Sequence, residues 1–215
     1  MSIDRQLVAY CAPTLAGIKS GSIFNCSYES LDELRQVIRQ WNILLNEKGV
    51  YMTLLKTWET RAMLYVYRPE MLCRELSAQR TARYLKNSGY TSLAVADAVE
   101  TLRHRVAEGE SFPHEIGLFL GYPVGDVEAF VKNRGKNCKH CGYWKVYCDE
   151  ENTIALFGRF KRCFQVYMNQ WHDGKSVAQL TVACLLYTSD SGLWHQGQRR
   201  GQPFKKAVVR MPGPS

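Results

Sequence analysis

Phe112–Tyr147, FPHEIGLFLGYPVGDVEAFVKNRGKNCKHCGYWKVY, is the stretch around which the chain is organised: it alone joins special backbone residues, a polar pair in an apolar run and a close cysteine pair. Pro113 and His114 open a short apolar helix, and Gly121, Tyr122 and Pro123 end it in a turn. A second helix is expected from Val124 to Asn133, followed by a cysteine knuckle that feeds a strand. This reading fixes where function is to be sought and leaves the reaction open.

Outward from there, the N-terminal side predicts a short helix over Asp4–Cys11, interrupted by Pro13, then a small-residue turn region and a strand over Ser22–Ser27. Ser30 followed by Glu33 is a capping-box pattern. It opens a helix whose apolar residues Leu31, Leu34, Val37, Ile38, Trp41, Leu44 and Leu45 recur at three- and four-residue steps, ending near Gly49. Val50–Leu55 and Ala62–Tyr67 are β-prone runs separated by a polar turn and predict a hairpin. Pro69 starts the next helix, and two helices are expected at about Glu70–Lys86 and Ser92–Glu108, with their arginines facing solvent. On the C-terminal side, Glu150–Trp171 reads as a long amphipathic helix and Ser176–Leu186 as a last one. The sum is an α+β fold, a single domain with a small, mostly antiparallel sheet of about four strands packed with six or seven helices.

At 215 residues, 46% hydrophobic and 22% charged, the chain can bury one sizeable core, and the domain is expected to span residues 1–186. Residues 187–215 carry no apolar period and read as a disordered or non-native tail. Half of the net charge of +8 lies there, in Arg199, Arg200, Lys205, Lys206 and Arg210 against Asp190. The body's mild basic excess is that of an ordinary solvated surface, so a nucleic-acid partner is not expected. No apolar run suits a membrane span and no signal peptide is indicated, so the expected location is cytoplasmic. The eight cysteines are then expected as reduced thiols.

Cys138 and Cys141 stand two residues apart with Gly142 just after, the form of one half of a rubredoxin-type or zinc-ribbon site. A closed site needs two more ligands from separated residues such as His114, His140, Cys148, Cys163 or Cys11, among which His114 is the favoured choice, with zinc or iron the expected metal. The same pair could work as a redox dithiol, favoured by Lys136, Lys139 and Lys145, or simply pack a turn. His114 and Glu115 are candidates for acid–base chemistry, yet as chain neighbours they point to different faces of a helix and also suit a helix start. Cys11, ahead of a tight turn, is a third catalytic candidate. A rival reading takes Glu115–Arg134 as a helix-turn-helix for DNA, with Val127 and Phe130 inward. Asp126 and Glu128 in its second helix oppose the attraction to phosphate that dominates such binding.

Four ordered blocks, Cys11–Phe24, Tyr65–Leu72, Phe112–Val131 and Cys138–Tyr147, are similar to those of a bacterial family known as domain of unknown function 3793, common in anaerobic Firmicutes. The resemblance spans about Asp4 to Ala183. It brings no established activity. It implies neighbourhood with flavodoxin genes, and hence redox or iron physiology with a flavodoxin-like partner; a glycine is frequent in the family at the position of Cys148. The expectation is therefore an uncharacterised cytoplasmic protein, thiol- or metal-dependent through Cys138 and Cys141. A DNA-binding regulator and a protein-interaction module without chemistry are the alternatives.

Overall fold

Pro13 does not interrupt helix α1, which spans Ile3–Leu15. The proline sits in the last turn, where its missing N–H removes a single intrahelical bond, and its carbonyl accepts from Ile18 N at 2.9 Å. The computed structural model describes residues 2–109 and 112–183, so the expectations for the tail at 187–215 lie outside the described residues.

Strands β1 (Gly21–Ser27), β2 (Tyr51–Trp58) and β3 (Arg61–Tyr67) form an antiparallel sheet in the order β1-β3-β2, so the expected hairpin holds its place and is longer than its β-prone cores. Central β3 is covered on both faces. Its Ala62, Leu64 and Val66 join one core with α1 and with Leu34, Ile38 and Leu45 of α2 (Leu31–Asn46), while Met63 and Tyr65 join a second core on the other face. This alternation follows from the two-residue period of a strand. Ser30 Oγ accepts from Glu33 N at 3.5 Å and opens α2 where its motif stands. Gly21 is required at the start of β1, since a Cβ there would lie 2.5 Å from Phe119 O. Tyr65 Oη donates to that same carbonyl at 2.6 Å.

The second core is built by α3 (Pro69–Ser77), α4 (Gln79–Asn87), α5 (Val95–Glu108) and α6 (Ile116–Phe119). The single helix expected over Glu70–Lys86 is two, parted at Ala78, whose ψ of 130° is extended. In one unbroken helix Leu85 would lie roughly half a turn around the axis from Leu76, facing away from the core. The break lets Leu72, Leu76 and Leu85 all be fully buried in one cluster.

Next come α7 (Val124–Lys132) and two short strands, β4 (His140–Cys141) and β5 (Lys145–Val146), which form an antiparallel ribbon where one strand is expected. Helix α8 (Glu150–His172) follows, capped by Asp149, then α9 (Val177–Leu180), which is shorter than its expected span. Trp144, Val146, Phe157 and Phe160 make a third cluster joining the ribbon to α8. Nine helices and five strands stand among the described residues, in one α+β domain. Among the described residues no helix is long and apolar enough to cross a membrane.

Candidate functional site

The site grows from the turn between α6 and α7. All four residues of α6 are buried, which anchors this short helix in the core. Gly121, at φ +76°, then reverses the chain into Pro123 and α7. Helix α7 buries Asp126 and Val127. Asp126 is 2% exposed, and its carboxylate accepts from Trp144 Nε1, Tyr147 N and Cys148 N, each at 2.9 Å. Three donors from one segment converge on one charged acceptor, clamping the ribbon to α7.

The clamp sets the position of Trp144. Its indole stacks on Tyr122 at 4.6 Å between centroids and meets Phe157 edge-on, also at 4.6 Å. Trp144, Tyr122, Phe130 and Phe112 are the aromatic residues lining a cleft of about 280 Å³. His114 and Lys145 are its basic groups. The imidazole meets Phe130 edge-on at 5.3 Å, and Lys145 Nζ lies 5.9 Å from the same ring while donating to Gly135 O at 2.7 Å. Asp126 reaches the wall, with its oxygens already engaged by the clamp. Chemically the cleft is an aromatic slot with a basic rim.

The residues singled out in the sequence fall in three places. His114 is exposed on the cleft side, whereas Glu115 is 5% exposed and turned into the core. Glu115 Oε1 lies 2.6 Å from Arg105 Nε, whose N–H is not aimed along that line, and it accepts from Tyr90 Oη at 3.5 Å. Glu115 stands at the start of α6, as its N-cap residue, but its side chain makes no cap and pairs with Arg105 instead. Arg105 is correspondingly not a free solvent-facing charge: it also donates to Ser88 O at 2.7 Å. Burial and the Glu115 charge push the Tyr90 hydroxyl well up.

Cys138 is partly buried and Cys141 exposed, both free, on the ribbon whose next residues wall the cleft. Lys139 N and Gly142 N donate to Val146 O and Trp144 O. Among the described residues no three His, Cys, Asp or Glu side chains group as a cation site, so His114 is not brought together with the cysteine pair as a ligand set. Cys11 is fully buried in α1, and burial pushes its thiol up to about 12, with Lys19 opposing the shift. A thiol so held stays protonated near neutrality.

The helix-turn-helix outline changes meaning. Val127 is buried as expected, whereas Phe130 is only partly buried and lines the cleft; Asp126 is the buried clamp and Glu128 pairs with Arg80 of α4. Neither acid is a free surface charge on a groove-reading helix. Three side chains escape sequence reasoning altogether: Lys19 and Ser20, within a small-residue turn, and Glu75, one carboxylate on an amphipathic helix. The structure brings Ser20 and Glu75 together beneath Gly121 and sets Lys19 by the Tyr122 ring. The sole signal for them is a lysine set among small residues.

Fold and site together define an α+β protein with an antiparallel sheet between helical layers and an aromatic cleft beside a cysteine-bearing ribbon. The chain belongs to the family described as protein of unknown function DUF3793, matched over residues 7–181. No curated protein and no solved structure matches it.

Proposed function

We propose that the protein binds a small planar organic molecule in the aromatic cleft. The observation that carries this reading is the slot itself, about 280 Å³ lined by Trp144, Tyr122, Phe130 and Phe112. Its size lies near the lower end of small-molecule sites, and apolar walls with a few polar groups are typical of them. Flat rings suit such walls because offset stacking and edge contacts favour aromatic partners. His114 and Lys145 favour a ligand that carries a carboxylate. Titration with 1-naphthoate tests this by quenching of Trp144 fluorescence: a saturable, one-to-one signal that weakens at least about tenfold in Lys145→Met and disappears in Trp144→Phe is expected. Quenching that stays linear with naphthoate concentration and is equal in all three proteins would refute the reading.

A second reading is favoured by the free thiols of Cys138 and Cys141 on the ribbon that walls the same cleft. In it the protein is thiol- or metal-dependent, with zinc or iron as the metal, and serves redox or iron metabolism with a flavodoxin-like partner. Elemental analysis and thiol counting on protein purified without air test it. Bound zinc or iron, or a rapidly reacting pair lost in Cys138→Ser/Cys141→Ser, would support it. Metal-free protein with both thiols slow until unfolding would exclude it.

A further inference from the structure

A second cavity adjoins the aromatic slot. It measures about 450 Å³, and Tyr84, Arg105, Phe112, His114 and Glu115 are among its walls. Phe112 and His114 line both spaces, so the two lie side by side. Their chemistry differs. The slot is aromatic with a basic rim, whereas the second cavity is walled by a matched ion pair, Arg105 with Glu115. The sequence places these two charges ten residues apart, Arg105 in the last turn of α5 and Glu115 at the start of α6.

Each member of that pair keeps bonding capacity in reserve. Glu115 Oε1 is taken by Arg105 Nε at 2.6 Å and by Tyr90 Oη at 3.5 Å, while Oε2 accepts no hydrogen bond among the described residues. Arg105 Nη1 donates to Ser88 O at 2.7 Å, and among the described residues Nη2 donates to nothing. A carboxylate held at 5% exposure gains from any donor that reaches its second oxygen. A wall that carries both signs also selects a group that carries both signs. A lone carboxylate drawn to Arg105 and His114 would lie against Glu115, and a lone ammonium drawn to Glu115 would lie against Arg105. An ammonium and a carboxylate on neighbouring atoms alternate in sign with the pair and leave no charge unmatched.

We propose that the ligand of the slot is an aromatic α-amino acid, whose ring lies among the slot's aromatic walls while its charged head passes Phe112 and His114 into the second cavity. There the ammonium donates to Glu115 Oε2, and the carboxylate accepts from Arg105 Nη2 and, at the shared wall, from His114. The inference rests on the slot taking a planar ring and names the class of molecule that carries it. The carboxylate favoured by the slot's basic rim is then one half of the head group. Glu115 recognises the other half, which a plain aryl acid lacks. Binding is noncovalent, and no bond is made or broken.

The test is calorimetric titration of the full chain at neutral pH with ligands that share one ring: 3-(1-naphthyl)-L-alanine, 3-(1-naphthyl)propanoate, which lacks the ammonium, and 2-(1-naphthyl)ethylamine, which lacks the carboxylate. The amino acid is expected to bind at least about tenfold more tightly than either of the others. Glu115→Gln keeps the shape and removes the charge, and should bring the amino acid to within about twofold of the propanoate. Saturable binding of the propanoate with the amino acid no tighter would overturn the inference and leave the slot as a site for plain aryl acids. No saturable binding by any of the ligands would overturn both. A Glu115→Gln protein that keeps the full preference for the amino acid would overturn the pairing of Glu115 with the ammonium. The wild-type comparison decides even if the variant fails to fold.

Discussion

Asp126→Asn isolates the clamp that holds the ribbon, because it keeps shape while changing one oxygen into a donor. The amide oxygen can still accept from Tyr147 N and Cys148 N, but the NH₂ group then faces Trp144 Nε1, donor against donor. Losing one charge-assisted bond in a site that is 2% exposed should lower stability by about 2 kcal/mol. Asp126→Ala leaves all three donors without their acceptor. At about 1.5–3 kcal/mol for each bond to a charged group, discounted because the three share one carboxylate, the expected loss is about 4 kcal/mol. For a domain of this size that lowers Tm by about 8–16 °C. Urea unfolding followed by circular dichroism gives the loss, and hydrogen exchange at the Tyr147 and Cys148 amides shows whether the ribbon opens first. An Asp126→Asn protein within about 0.5 kcal/mol of wild type, or an Asp126→Ala protein within about 1 kcal/mol, would refute the reasoning.

Arg105→Met strands the buried Glu115 carboxylate and should destabilise by about 3 kcal/mol, whereas Arg105→Met with Glu115→Met should regain most of the loss; equal urea midpoints for the single and double variants would contradict this. For Cys11, the folded thiol keeps its proton up to about pH 12 while the unfolded chain releases it from 9.0 upward. Stability present below pH 9 is therefore lost as pH rises toward 12. The wild type should lose about 2 kcal/mol more than Cys11→Ala between about pH 8 and about pH 10.5, and parallel curves of unfolding free energy against pH would refute it.

What the sequence makes legible is what short-range pattern decides. The Ser30 cap, the strands around the 59–60 turn and the apolar period of α8 each depend on residues within a few positions, and each stands where its pattern places it. The turn at Gly121 is legible for the same reason. The break at Ala78 has no proline or glycine to mark it, and arises because Leu76 and Leu85 must reach one core. Asp126 reads as an exposed helix-start acid until its partners at Trp144, Tyr147 and Cys148 are known. Glu75 comes from far along the chain to meet Ser20, and no local pattern announces the encounter.

Arg68, buried at the start of α3, has a consequence for the order in which the molecule can be completed. Its guanidinium donates to Thr14 O at 2.6 Å, to Leu15 O at 2.7 Å, to Lys48 O at 3.2 Å and to Val182 O at 2.7 Å. These carbonyls lie in the last turn of α1 and just beyond α2 and α9, so a single cation ties together segments from both extremes of the domain. During synthesis the first two can form while the chain is still emerging. The contact to Val182 must wait until nearly the whole domain has been made, and Val182 N then donates back to Leu15 O at 3.0 Å. A nascent chain thus carries a buried charge short of one acceptor until the segment after α9 arrives, and the arrival of that segment closes the N-terminal half of the protein.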